Sequence, residues 1–116
     1  MAKLTMLLAK GPERPNGDLE DRLIVRLVLN RQGQIDPAAY DNDPTPWLAI
    51  RRRPGVEDKH SELIRLDDGW ALQSIVSEDD PLWSFEGFVF RPGDLVRLGL
   101  PDGEGLLYRI VASAPD

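Results

Sequence analysis

Short stretches of alternating apolar and polar residues run along most of the chain, separated by Gly, Pro, Asn and Asp. The sequence contains ten glycines and ten prolines at short intervals, which leaves little room for long helices and favours short strands. Alternation with a period of two places successive side chains on opposite faces of a strand. The pattern predicts about eight strands, over residues 3–9, 19–30, 47–53, 62–66, 70–76, 84–90, 95–100 and 106–111.

Residues 19–30 fit two interpretations. As a strand, the segment has one face formed by Leu23, Val25, Leu27 and Leu29, with arginines interleaved on the other face. As a helix, it would begin after a capping Asp18, but its surface would be apolar on nearly every side. The alternation therefore favours the strand.

Turn residues predict how several strands are connected. Asp67-Asp68-Gly69 predicts a hairpin in which Gly69 supplies a positive φ, and residues 91–94 (Arg-Pro-Gly-Asp) predict a tight turn. Residues 36–46 contain three prolines and read as an irregular connection with one possible helical turn at 37–40. The polar segment 56–60, after the Pro54-Gly55 stop, is expected to be a turn or a short helix.

Strands in such an order must close into a barrel or stack as two sheets, since open sheet edges aggregate. The length of 116 residues fits one domain. The sequence therefore predicts a single all-β domain over residues 1–116, a small barrel or sandwich of mostly antiparallel strands with at most one or two short helical turns. The pattern does not choose between barrel and sandwich.

Composition excludes several classes of protein. The chain has no cysteine and one histidine, which excludes a disulfide-held scaffold, a thiolate metal site and a multi-histidine metal site. No apolar stretch approaches the ~20 residues of a membrane span, and the first one ends at residues 10–12, too early for a signal peptide. We expect a cytoplasmic protein with no cofactor and no metal.

Charge is distributed unevenly along the chain, whose formal net charge is −6. Residues 1–60 hold 10 Lys and Arg against 9 Asp and Glu, whereas residues 61–116 hold 4 against 11. An acidic second half repels phosphates and anionic lipid, so nucleic-acid and membrane partners are not expected. Its plainer interpretation is solubility.

The cluster Arg51-Arg52-Arg53 is the sharpest charged feature. On a strand, Arg51 and Arg53 share a face with Trp47, so two guanidiniums and an indole could bind a phosphate or carboxylate and a stacked ring. Alternatively, the arginines protect an edge strand from aggregation, or they meet the acidic half of a second copy.

The aromatic segment 83–90 changes phase. Trp83 and Phe85 share one face of a strand, and Phe88 and Phe90 share the other. Either a bulge at Gly87 resets the alternation, or the Trp83 and Phe85 pair stays exposed as a protein-binding patch.

Three hypotheses of function follow. The preferred one is a non-catalytic interaction module that binds a protein partner or itself, with Trp83 and Phe85 as binding residues. The second is an anion or nucleic-acid reader that uses Trp47, Arg51 and Arg53. The third is a small enzyme whose acid and base come from separate turns, with a carboxylate beside His60.

Overall fold

The computed structural model describes residues 1–77, 79–87, 89–100 and 103–115, which form one closed antiparallel barrel. Each strand pairs with the next along the chain, and β1 pairs with β8 to complete the ring. The strands are β1 (Ala2–Lys10), β2 (Asp18–Leu27), β3 (Leu48–Arg53), β4 (Val56–Leu66), β5 (Gly69–Ser74), β6 (Trp83–Glu86), β7 (Leu95–Gly99) and β8 (Gly105–Pro115). The predicted all-β class is confirmed, and the architecture is a barrel.

The alternation that predicted the strands also fills the barrel. Leu23, Val25 and Leu27 of β2 point inwards and are buried, while Arg22 and Arg26 are exposed. The strand interpretation of this segment is therefore confirmed, although the strand ends at Leu27 and the predicted inward residue Leu29 lies beyond it. Inward residues of the other strands complete one apolar core, which includes Leu4, Met6, Leu63, Val96, Leu98 and Ile110.

A single short helix, α1 (Pro37–Asn42), closes one end of the barrel within the described residues. The Asp36 carboxylate caps it by accepting hydrogen bonds from the backbone of Ala38 and Ala39, which satisfies N–H groups that the helix cannot. Tyr40 packs edge-on against Trp47 and Trp70, with ring centroids 5.1 and 5.0 Å away. The helical turn predicted at residues 37–40 is the start of α1. Through Tyr40, the helix covers this end of the core.

The hairpin that joins β3 to β4 differs from the expectation. Residues 56–60 are the first half of β4, and the prediction of a turn or short helix there is wrong. Pro54 and Gly55 form a two-residue connection. Its second position has a φ of +70°, which glycine adopts far more easily than other residues. One extra β4 residue opposite Arg52 makes a bulge, since Arg51 pairs with Lys59 and Arg53 with Val56.

Other boundaries also shift. The predicted strand 70–76 ends at Ser74, and the predicted strand 84–90 is the shorter β6. Gly69 forms the expected hairpin opposite Leu66 but has no positive φ, so that detail is wrong. Within the part of the chain that the structure describes, no helix is long and apolar enough to cross a bilayer.

Candidate functional site

A buried polar cluster lies inside the barrel at the end opposite α1. The Arg51 guanidinium donates two hydrogen bonds to Asp21, from Nε to Oδ1 at 3.2 Å and from Nη2 to Oδ2 at 2.8 Å. The Tyr108 hydroxyl donates to Asp21 Oδ1 at 2.9 Å. The side chains of Arg51 and Asp21 are 13% and 4% exposed, so this ion pair is largely removed from water.

Strand register brings these three residues together. Asp21 has the same inward parity on β2 as Leu23, and Leu23 pairs with Arg51 on β3. Burial raises the pKa of the Tyr108 hydroxyl, which therefore stays protonated as a donor. Burial by itself would lower the pKa of Arg51, but its hydrogen bonds to Asp21 and the nearby charge raise it overall. The cluster therefore consists of the Arg51–Asp21 ion pair and one further hydrogen bond, from Tyr108 to Asp21.

Trp83 lies over this ion pair. Arg51 Cζ is 5.5 Å from the centroid of the Trp83 ring, within range of a cation–π contact. A small cavity of about 40 Å³ adjoins both side chains and has room for a few water molecules at most. Arg51 and Trp83 thus separate the filled core from two surface depressions that meet at Trp83.

The first depression, the end cleft, has a volume of about 540 Å³ and lies over the mouth of the barrel. Its walls carry three arginines, Arg14, Arg51 and Arg53, and five acidic residues, Glu13, Asp18, Glu20, Asp21 and Glu104. Asp21 is paired with Arg51. Asp18 is paired with Arg14, with Oδ2 and Nε 3.7 Å apart. Arg53 is half-buried and forms no ion pair with any described residue. The end cleft is therefore acidic overall.

The second depression, the side groove, has a volume of about 640 Å³ and lies on the other side of the β3–β4 hairpin. One wall is the first half of β4. Pairing between β4 and β5 begins at Ser61 with Ser74, and among the described residues one further bond joins the Ile75 N–H to the His60 carbonyl at 3.2 Å. Residues 56–59, here termed the open edge, pair with β3 on one side and with no described strand on the other.

The opposite wall of the side groove comes from the connection between β5 and β6. Val76 is 81% exposed and lines the groove, and its neighbour Ile75 is 53% exposed. Val56 on the open edge is 50% exposed, and Trp83 is half-buried at the junction with the end cleft. The side groove therefore joins an unpaired strand edge to exposed apolar side chains.

The structure separates the residues that the sequence grouped. Trp47 shares the inward parity of Arg51 but is 1% exposed in the core near α1, where its Nε1–H donates to Asp43 Oδ2 at 2.8 Å. Arg51, Arg53 and Trp83 meet at the end cleft. The suggestion that β3 is an edge strand is wrong, because β3 pairs with both β2 and β4.

The suggestion that Trp83 and Phe85 form an exposed patch is wrong for Phe85. Phe85 is 8% exposed and packs against Phe90, with ring centroids 6.1 Å apart. Both rings enter the core because β6 ends at Glu86 before the phase changes. Phe88 lies outside the described residues. Of the proposed pair, Trp83 alone retains exposed surface.

His60 is exposed on β4, and no described carboxylate hydrogen-bonds to its imidazole. The described residues also contain no group of three His, Cys, Asp or Glu side chains placed to hold a metal ion. The geometry thus gives little support to an acid–base site built around His60.

Sequence reasoning missed Asp21 and the open edge. A signal existed for each one. Asp21 has the parity of the buried leucines of β2, which places a carboxylate inside the barrel. Pro54-Gly55 is typical of a direct connection between two strands, which predicts that β4 begins at residue 56.

Comparison with protein-family models, curated proteins and solved structures finds no match to this chain.

Proposed function

We propose that this chain is a non-catalytic binding module that holds an extended segment of a protein partner in the side groove. The single observation behind this proposal is the open edge. Residues 56–59 have strand geometry, are exposed and face a groove of about 640 Å³ where a neighbouring strand would lie.

An unpaired strand edge offers a row of backbone donors and acceptors. Exposed edges attract other strands, and natural proteins usually cover or pair them. A closed barrel has no need of such an edge, yet β4 extends beyond the end of its pairing with β5. An added strand would complete the hydrogen bonding, as in other proteins that bind peptides by strand addition.

Apolar side chains beside the edge supply the second part of the recognition. Val76 at 81% exposure is among the most exposed large apolar side chains of the chain, and Val56 and Trp83 border the same space. Every second side chain of an added strand would point towards these residues. A segment this short buries a small area, so the affinity should be modest, about micromolar.

The two other hypotheses have weaker support. An anion or nucleic-acid reader needs accessible guanidiniums, but Arg51 is held by Asp21 and Trp47 is buried. Arg53 is unpaired beside Trp83, yet the end cleft around it carries five acidic residues, which repel an anion. The proposed enzyme needs a carboxylate beside His60, and no described carboxylate hydrogen-bonds to that imidazole. The cytoplasm stays the expected location, and it is part of the same proposal.

Selection from a peptide display library tests the proposed function. Wild-type protein and the variant Val76→Asp would be used as targets, with Val111→Asp as the control because Val111 is 45% exposed on β8, away from the side groove. We expect enriched peptides that bind wild type and Val111→Asp but lose binding to Val76→Asp. Thermal melts would show that both variants are folded. Peptides that bind all three proteins equally, or no enrichment, would refute the proposal.

A further inference from the structure

We infer that the partner segment is basic, with Lys or Arg alternating with apolar residues in an extended strand. This inference rests on the proposed function and deepens it by naming the chemistry of the partner. It depends on the charges that border the side groove and on how they are already paired within the fold.

Acidic side chains outnumber basic ones around the side groove. Glu57, Asp58 and Asp80 line it, and Lys59 is the one Lys or Arg among its described lining residues. Asp58 is paired with Arg52, with Nε and Oδ2 3.3 Å apart. Glu57 and Asp80 form no ion pair with any described residue. Two carboxylates are therefore available to a cation that enters the groove.

The excess of negative charge extends beyond the side groove. Across Val56 and Trp83 lies the end cleft, where Glu13 and Glu20 are exposed and unpaired among the described side chains. The whole chain carries a formal charge of −6. Arg53 is also unpaired in the end cleft, but acidic side chains outnumber basic ones in both depressions, so on balance a basic segment is attracted and an acidic one is repelled.

Strand periodicity sets the spacing of the partner's charges. In an added strand, alternate side chains point towards the apolar surface of Val76 and Trp83, and the others point away from it. Glu57 lies on the open edge and Asp80 on the facing connection. Apolar residues at one parity pack on Val76 and Trp83. Lys or Arg at the other parity lies beside Glu57 of the neighbouring edge and has a side chain long enough to bend towards Asp80.

A second copy of the chain fits the groove less well. Each copy would bring its own acidic edge to the acidic edge of the other, which costs free energy. Arg51 and Arg52 are already paired with Asp21 and Asp58, and the unpaired Arg53 lines the end cleft and not the side groove. The occupant is therefore a different, basic protein segment.

Matched synthetic peptides test this inference by fluorescence anisotropy. Three labelled peptides of about seven residues, ~23 Å when extended, would share Val at one parity and carry Lys, Gln or Glu at the other. We expect the Lys peptide to bind about three- to twentyfold more tightly than the Gln peptide, from two exposed charge pairs. Raising the salt from about 50 mM to about 300 mM should remove most of this difference.

Charge-removing variants locate the effect. In Glu57→Gln/Asp80→Asn, the Lys peptide should bind within about twofold of the Gln peptide, because the available carboxylates are gone. The control Asp67→Asn/Asp68→Asn removes the same charge from the exposed turn at the other end of β4. It should leave the preference for Lys intact.

Each failure has a distinct meaning. Equal binding of the Lys and Gln peptides, lost in Val76→Asp, would overturn the basic partner and retain the side groove as a binding site. No binding of any peptide, together with no groove-dependent peptide from the display library, would overturn both proposals. Self-association that Val76→Asp abolishes in sedimentation experiments would identify a second copy as the occupant and would also overturn the basic partner.

Discussion

Replacement of Asp21 by Asn tests whether the buried ion pair at the barrel end stabilises the fold as its geometry implies. Asn keeps the shape of the side chain and an oxygen that can accept the Tyr108 hydrogen bond, but it removes the charge that faces Arg51. Breaking a buried pair by neutralising one partner costs about 3–5 kcal/mol. Because Arg51 retains 13% exposure beside the end cleft, water can partly solvate it, and we expect a loss of about 2–4 kcal/mol.

Urea unfolding followed by tryptophan fluorescence measures this loss. The slope for small domains is about 1–3 kcal/mol per molar urea, and at a slope of about 2 the midpoint should fall by roughly 1–2 M. The matched control is Asp58→Asn, which breaks the pair with Arg52 whose side chains are 57% and 41% exposed. Exposed pairs contribute about 0–1 kcal/mol, so this variant should unfold close to wild type.

A double-mutant cycle separates the charge from other effects of the substitution. In Asp21→Asn/Arg51→Met, no buried cation is left without a counter-charge, so the double variant should lose less stability than the two single variants added together. A coupling of at least about 1 kcal/mol is expected for residues in direct contact. The reasoning is refuted if Asp21→Asn costs no more than Asp58→Asn, or if the two single losses simply add.

Three further predictions concern the pH dependence and the backbone. Burial raises the pKa of Tyr108 above its ordinary value of 10.0, so the folded state holds this proton longer than the unfolded state. The resulting stability is fully present below about pH 10 and declines as pH rises further, a decline that Tyr108→Phe should reduce in urea titrations at alkaline pH. Gly17 has φ of +84°, and a Cβ there would collide with the backbone oxygens of strand β1. Gly17→Ala should therefore lower the melting temperature more than Gly93→Ala, at φ of +97° with open space around it. Asp36→Ala removes the cap of α1 and should cost about 1 kcal/mol in urea unfolding; an unchanged midpoint would contradict a capping role.

The fold class was predictable because it depends on a local pattern. Apolar residues occupy every second position of β2, at 23, 25 and 27, as a half-buried strand requires. Each predicted strand overlaps one that the structure shows. Barrel closure was not predictable, because it requires β1 to pair with β8. The sequences of β1 and β8 do not show whether the two strands pair with each other, as in a barrel, or lie in two stacked sheets, as in a sandwich.

The candidate site was harder to predict than the fold. The arginine cluster was visible in sequence, but its availability depends on Asp21, which is 30 residues from Arg51 along the chain and bonded to it in space. The phase change at 83–90 indicated two faces, whereas β6 ends early and lets Phe85 and Phe90 enter one core. The open edge depends on where β5 stops pairing with β4, which the composition of 56–60 does not reveal.

Closure of the barrel through the first and last strands has a consequence for folding kinetics. Ala2 pairs with Pro115, so the contacts that complete the ring join segments at the greatest separation in the chain. Closing so long a loop costs more entropy than forming a local hairpin, and proteins dominated by such contacts fold slowly, in about milliseconds to seconds. During synthesis, β1 leaves the ribosome before β8 and cannot form its hydrogen bonds to β8 until that strand has been made.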